Sequence, residues 1–64
     1  MNTIIFKGVL GQYHININQI TYMFQNNEGL YIHFHGKDVL PLTNKEDIEK
    51  FLNIYQLKMK TENF

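Results

Sequence analysis

The stretch LYIHFHGK, residues 30–37, places His33 and His35 two positions apart. In an extended strand residues i and i+2 point the same way, about 6.6 Å apart, so both imidazoles could approach one metal ion. Zinc takes three or four ligands, and the remaining ones are hard to find. His14 is the only other histidine, and the chain has no cysteine. His14 falls on a separate strand, with a whole strand between in a simple meander, about 10 Å away. No carboxylate lies within 20–25 or 30–35. The pair therefore reads as part of an exposed strand face, and neither a metal site nor a cofactor is expected.

Other chemistry is equally short of parts. Serine is absent along with cysteine, which removes the commonest covalent nucleophiles. Acid–base catalysis needs titratable pairs held in environments that separate them. Here Glu46, Asp47 and Glu49 crowd one stretch, where helix capping and the helix dipole account for them. The segment GVLG, 8–11, lacks the Lys-Ser/Thr of a phosphate loop. The expectation is no enzyme, no catalytic residue and no small-molecule substrate.

What remains is contact. Met23, Tyr31, His33 and His35 are expected to share one strand face that is amphipathic and almost uncharged, a composition frequent at interfaces. Ile54 and Leu57 fall off the main apolar stripe of the C-terminal helix, among Asp47, Lys50 and Lys58, and join them as candidate partner-binding residues.

The elements that would position these residues follow from the pattern. TIIFK (3–7) is β-branched and aromatic, hence a strand. GVLG is a hairpin connection, YHIN (13–16) a second strand and 16–19 an Asn-rich bend. ITYMFQ (20–25) and 30–35 are the third and fourth strands, and VLPL (39–42) a fifth. Pro41 marks that strand as an edge, because proline cannot donate to the ladder. Between strands three and four, a three-residue loop with Gly29 in the left-handed region is expected. That register puts Ile20, Tyr22 and Phe24 with Leu30, Ile32 and Phe34 in the core. Met23 then lies with Tyr31 and His33 outside. The loop at 36–38 leaves two registers open: one points Leu40 and Leu42 into the core, the other onto the histidine face. Thr43-x-x-Glu46 reads as a capping box. Ile48, Phe51, Leu52, Tyr55 and Met59 form a stripe that should cover the apolar sheet face.

The whole is expected to be α+β: a four- or five-stranded antiparallel meander with one C-terminal helix packed on one face. It makes a single domain over 1–60, with 61–64 a frayed tail. Sixty-four residues support one small core that removes only about 60% of the unfolded surface from water, which raises the value of association. Six lysines balance six acidic residues, and there is no arginine. A nucleic-acid binder normally carries a basic footprint, and arginine is its preferred reader of phosphate and guanine. No apolar run approaches the roughly 20 residues of a membrane span, and MNTIIFKG is too quickly interrupted for a signal peptide. A cytoplasmic protein is expected. The abundance of Ile, Asn and Lys points to an AT-rich bacterial or phage genome.

The run YHININQITYMF, the NNEG turn, LYIHFHGKDV and the acidic helix together resemble the small FlbD-type flagellar and motility proteins. The matching residues are Ile15, Asn16, Ile20, Tyr22, Gly36, Lys37 and the helix from Asn44, while Val9–Gly11 and Pro41 depart from the pattern. A similar strand–turn–strand rhythm occurs in LytTR-type DNA-binding domains, whose basic loops this arginine-free chain lacks. The resemblance implies an α+β module acting by contact. The expected function is a non-catalytic binding module, a homodimeric adaptor or regulator that contacts itself or another protein. The alternatives are a nucleic-acid-binding regulator and a phage-encoded inhibitor of a host protein.

Overall fold

A computed structural model describes residues 2–62. The chain is α+β, with five strands followed by one C-terminal helix: β1 (Thr3–Lys7), β2 (Gln12–Asn16), β3 (Ile20–Asn26), β4 (Gly29–Phe34), β5 (Val39–Leu42) and α1 (Lys45–Glu62). The strands divide into two antiparallel sheets, the hairpin β1–β2 and the meander β3–β4–β5. A 3₁₀ turn at Ile17–Gln19 joins them. It is capped by Asn16, whose side chain accepts the Asn18 N–H at 3.0 Å. α1 continues through Thr61 and Glu62, where a frayed tail was expected. The rest of that expected tail, Asn63 and Phe64, lies outside the described residues.

The core draws on every layer. Ile4, Phe6 and Ile15 come from the hairpin, Leu30, Ile32 and Leu42 from the meander, and Phe51 from the helix. Phe51 is fully buried, with Phe6 and Tyr55 rings at centroid distances of 6.3 Å and 5.7 Å. Fully burying such a side chain stabilises by about 1.5–3 kcal/mol, so a few residues carry most of the fold.

The helix start differs from expectation in one residue. Asn44, not Thr43, is the cap: its Oδ1 accepts the N–H groups of Glu46 at 2.9 Å and Asp47 at 3.2 Å. Asparagine is at least as good a cap as threonine, and the helix begins one residue later as a result. Asp47 is then turned inward and is 3% exposed. Its Oδ2 accepts the Val9 N–H at 3.2 Å, and its place in the first turn suits the helix dipole. A side chain at Gly8 would fall 2.6 Å from the Tyr13 ring and 2.9 Å from Asp47 Oδ2, so the glycine is what lets the hairpin loop close on the carboxylate. Lys50 Nζ adds a second link, donating to the Lys7 carbonyl at 3.1 Å.

Burial of Asp47 overturns the placement of Ile54. On a helix of 3.6 residues per turn, Ile54 lies about 60° from Phe51, on the same side as Asp47. That side faces β1 and the loop that follows it. Ile54 is accordingly half-buried and packs on the core, where the sequence pattern put it among solvated charges. The apolar stripe is wide because α1 meets two sheets rather than one.

The β3–β4 register also differs from expectation. The loop holds two residues, Asn27 and Glu28, and pairs Asn26 with Gly29, Phe24 with Tyr31, Met23 with Ile32 and Tyr22 with His33. Asn26 Oδ1 stabilises it by accepting the N–H groups of Glu28 at 2.8 Å and Gly29 at 3.2 Å. Gly29 is not left-handed; the described residues with positive φ are Gly11, Gly36 and Lys37. It is glycine because the Leu42 carbonyl lies where a Cβ would go. The one-residue shift turns Met23 inward to pack on the core, which corrects its expected place beside Tyr31 and His33. Tyr22 and Phe24 turn outward. A bulge at Thr21 restores Ile20 to the inner side, opposite Phe34.

After β4, Phe34 donates to the Asp38 carbonyl at 2.9 Å, closing a three-residue loop over His35, Gly36 and Lys37. Of the two registers left open, this one sets Leu40 against Ile32 and Leu42 against Leu30. Both leucines therefore point to the core side, Leu42 buried and Leu40 half-buried.

Candidate functional site

Residues paired directly across a sheet share a face. Leu30, Ile32, Leu42, Leu40 and Met23 take the face turned to the core. The pairs Tyr22–His33, Phe24–Tyr31, His33–Val39 and Tyr31–Pro41 therefore make up the other. Among the described residues no layer covers this outer face: Tyr22 is 57% exposed, Phe24 54% and Val39 46%.

Its rings are ordered in two pairs. Tyr22 and His33 stack at 4.1 Å with their planes 9° apart. Phe24 and Tyr31 lie 6.4 Å apart and tilted by 31°. Cross-strand aromatic pairs are worth about 0.5–1.5 kcal/mol beyond their buried area, which biases these side chains toward the paired arrangement before anything binds. Thr21 Oγ1 donates to the His33 carbonyl at 3.1 Å, fixing the bulge against β4 beside the first pair. No lysine or carboxylate occupies the six face positions; Glu28, Lys37 and Asp38 stand in the loops at the ends.

The expected site residues divide. Tyr31 and His33 lie on this face. His35 falls beyond the end of β4, in the loop, with its N–H donating to the Gln19 carbonyl at 2.9 Å, so it does not line up with His33 on a strand. Met23 and Ile54 pack on the core. Leu57 is 67% exposed on the far side of the helix, near Asn53, Gln56 and Lys60. Tyr22, Phe24, Val39 and Pro41 join the face without having been singled out. The sequence signal that could have found them is Asn26, whose side chain can close a two-residue loop and so reverse the faces of β3.

The six face positions present aromatic rings, one imidazole and two aliphatic side chains. Among the described residues, no cluster of three or more His, Asp or Glu stands close enough to hold a metal ion. No buried side-chain polar atom among them lacks a hydrogen-bond partner. A groove of about 390 Å³ separates β2 from β5, lined by Tyr13, His14, Phe34, Asp38 and Leu40 among others; the two sheets do not pair across it. No described helix is long and apolar enough to cross a membrane. No family model, curated protein or solved structure matches the chain.

Proposed function

We propose that the protein is a non-catalytic binding module, a cytoplasmic adaptor or regulator that works as a homodimer through the β3–β4–β5 sheet. The observation that carries this reading is the pair of ordered ring contacts, Tyr22–His33 and Phe24–Tyr31, on an uncovered and uncharged sheet face. Preformed aromatic surface costs little entropy to bury, and tyrosine and phenylalanine are enriched in interface cores. The small core gives association a stabilising role. Zero net charge leaves two copies free of long-range repulsion. The resemblance to FlbD-type proteins agrees with a contact module.

One observation favours a second reading. Exposed aromatic rings on a sheet are also a platform on which the bases of single-stranded nucleic acid can stack. Such platforms work with a basic groove that tracks the phosphates, and this face carries no lysine or arginine.

Sedimentation equilibrium over the micromolar range tests the proposal, with wild type beside Tyr22→Asp at low and high salt. The expected result is a wild-type dimer that tolerates salt and a monomeric variant. A monomeric wild type that binds a single-stranded oligonucleotide with steep salt dependence would replace this reading with the second.

A further inference from the structure

The dimer proposed above leaves open how two sheets meet, and the inference here rests on that reading. The backbone alternation supplies the geometry. Phe34 turns its N–H to Asp38, the residue just before β5, so Ile32 and Leu30 face β5. Tyr31 and His33 face β3 instead, where Phe24 and Tyr22 are their partners. It follows that the N–H and C=O groups of Met23 and Gln25 point away from the sheet, along the outer edge of β3.

The two edges of this sheet are unlike. On β5 the outward residues are Val39 and Pro41, and proline has no N–H to offer. Proline at an edge is a common guard against strand addition. The β3 strand has no proline, and its one edge-protecting irregularity, the bulge at Thr21, lies near its start, away from 22–26. ITYMFQN contains no proline, lysine or acid, it is the longest of the described strands, and no described strand pairs with its other side. Edges of this kind invite another strand. A second copy fits without charge conflict: in a two-fold antiparallel pairing the residues on either side of the axis meet each other, and none of those on β3 is charged. An uncharged strand is compatible with its twin.

We propose that two copies of the chain pair along β3, antiparallel, about a two-fold axis at Phe24, joining their meanders into one continuous sheet. This register spares the bulge at Thr21. Met23 of each copy meets Gln25 of the other, which satisfies the outward N–H and C=O groups of both. Phe24 meets its twin at a non-hydrogen-bonded position, where side chains come closest, and the two Tyr22 rings flank it on the outer face. The rings of Tyr22 and Phe24 are each about half exposed, so the four supply roughly 400 Å². The strand edges must supply the rest of the ~1,000 Å² a specific interface needs. That places the dimer among weak, micromolar associations, and it leaves the outer aromatic face doubled in width.

Single-cysteine variants test the geometry, since the chain has no cysteine of its own. The Cα atoms of Phe24 and its twin would stand about 4.5 Å apart, inside the span of about 4.4–6.8 Å that a disulfide bridges. Those of the two Tyr31 residues would stand about 14 Å apart, three strand spacings. Under oxidised glutathione, Phe24→Cys should form a covalent dimer and Tyr31→Cys should not. Because Phe24→Cys also removes a ring, amide exchange is measured on unmodified protein. At a concentration where nine-tenths is dimer, the Met23 and Gln25 N–H groups should exchange about ten-fold slower than at high dilution. If the wild type sediments as a dimer while those two amides exchange equally fast at both concentrations, or while Tyr31→Cys cross-links as readily as Phe24→Cys, edge pairing is wrong and the faces meet instead. If the wild type sediments as a monomer, the dimer reading itself fails.

Discussion

Replacing Gly29 by alanine and by asparagine separates two reasons for a glycine at the β3–β4 turn. If Gly29 supplied a left-handed residue, asparagine, which tolerates that region, would be a mild substitute and alanine a worse one. In the structure the backbone there is not left-handed, and the space a Cβ would need is occupied by the Leu42 carbonyl. The obstacle is backbone, held by the Leu30–Leu42 pairing, so it cannot swing aside as a side chain would. Overpacking costs about 1–3 kcal/mol, and this site belongs at the upper end. Loss of unfolded-state freedom returns about 0.4–1 kcal/mol. The net is a destabilisation of about 2 kcal/mol for alanine, and no less for asparagine. A 64-residue chain has roughly 3–10 kcal/mol in total, so the melting temperature should fall by about 8–16 °C. Urea and thermal unfolding followed by circular dichroism measure it. An asparagine variant as stable as wild type would refute the argument and restore the three-residue loop, which would return Tyr22 and Phe24 to the core.

Four other substitutions probe the parts that position the face. Phe51→Ala should lose about 3–5 kcal/mol and leave the chain largely unfolded by circular dichroism; near-native melting would mean that the helix does not seat on the core as described. Asn44→Ala should lose about 1 kcal/mol of unfolding free energy, while Thr43→Ala stays within about 0.5 kcal/mol; the reverse order would make Thr43 the cap. Lys37, at φ 70°, bears the cost of a left-handed backbone, about 1–2 kcal/mol. Lys37→Gly should therefore raise stability by about 0.5–1 kcal/mol after the entropy of the freer chain is set against it, and a loss on urea unfolding would show the strain to be absent.

The elements themselves were legible because each carries a local signature: β-branched runs, a glycine pair around GVLG, Asn-rich turns and a helix with apolar residues three and four apart. Pro41 marked an edge strand, and β5 is one. Faces were harder to read, because in a strand they depend on a single residue of loop length. Asn26 forms side-chain bonds that stabilise a shorter loop than Gly29 suggested, and the Thr21 bulge then compensates at the other end of β3. A rule that assigns the cleanest apolar face to the core could not anticipate that both faces of β3 carry large apolar residues, Ile20 and Met23 on one, Tyr22 and Phe24 on the other. The helix stripe was read too narrowly for a similar reason. Asp47 looks like one more charge near a helix start, and only its contact with Val9 and Gly8 reveals that this side of α1, with Ile54, faces a second sheet.

The central claim is that the chain acts by contact through β3 and the outer face of its sheet. Two-dimensional ¹H–¹⁵N NMR spectra along a dilution series test it residue by residue. Resonances of Tyr22, Met23, Phe24 and Gln25 should shift together with dilution, with smaller shifts at Tyr31 and His33, while Asn53, Gln56 and Leu57 on the far side of the helix stay fixed. Shifts confined to that helix surface, or spectra unchanged from millimolar to low micromolar concentration, would contradict it.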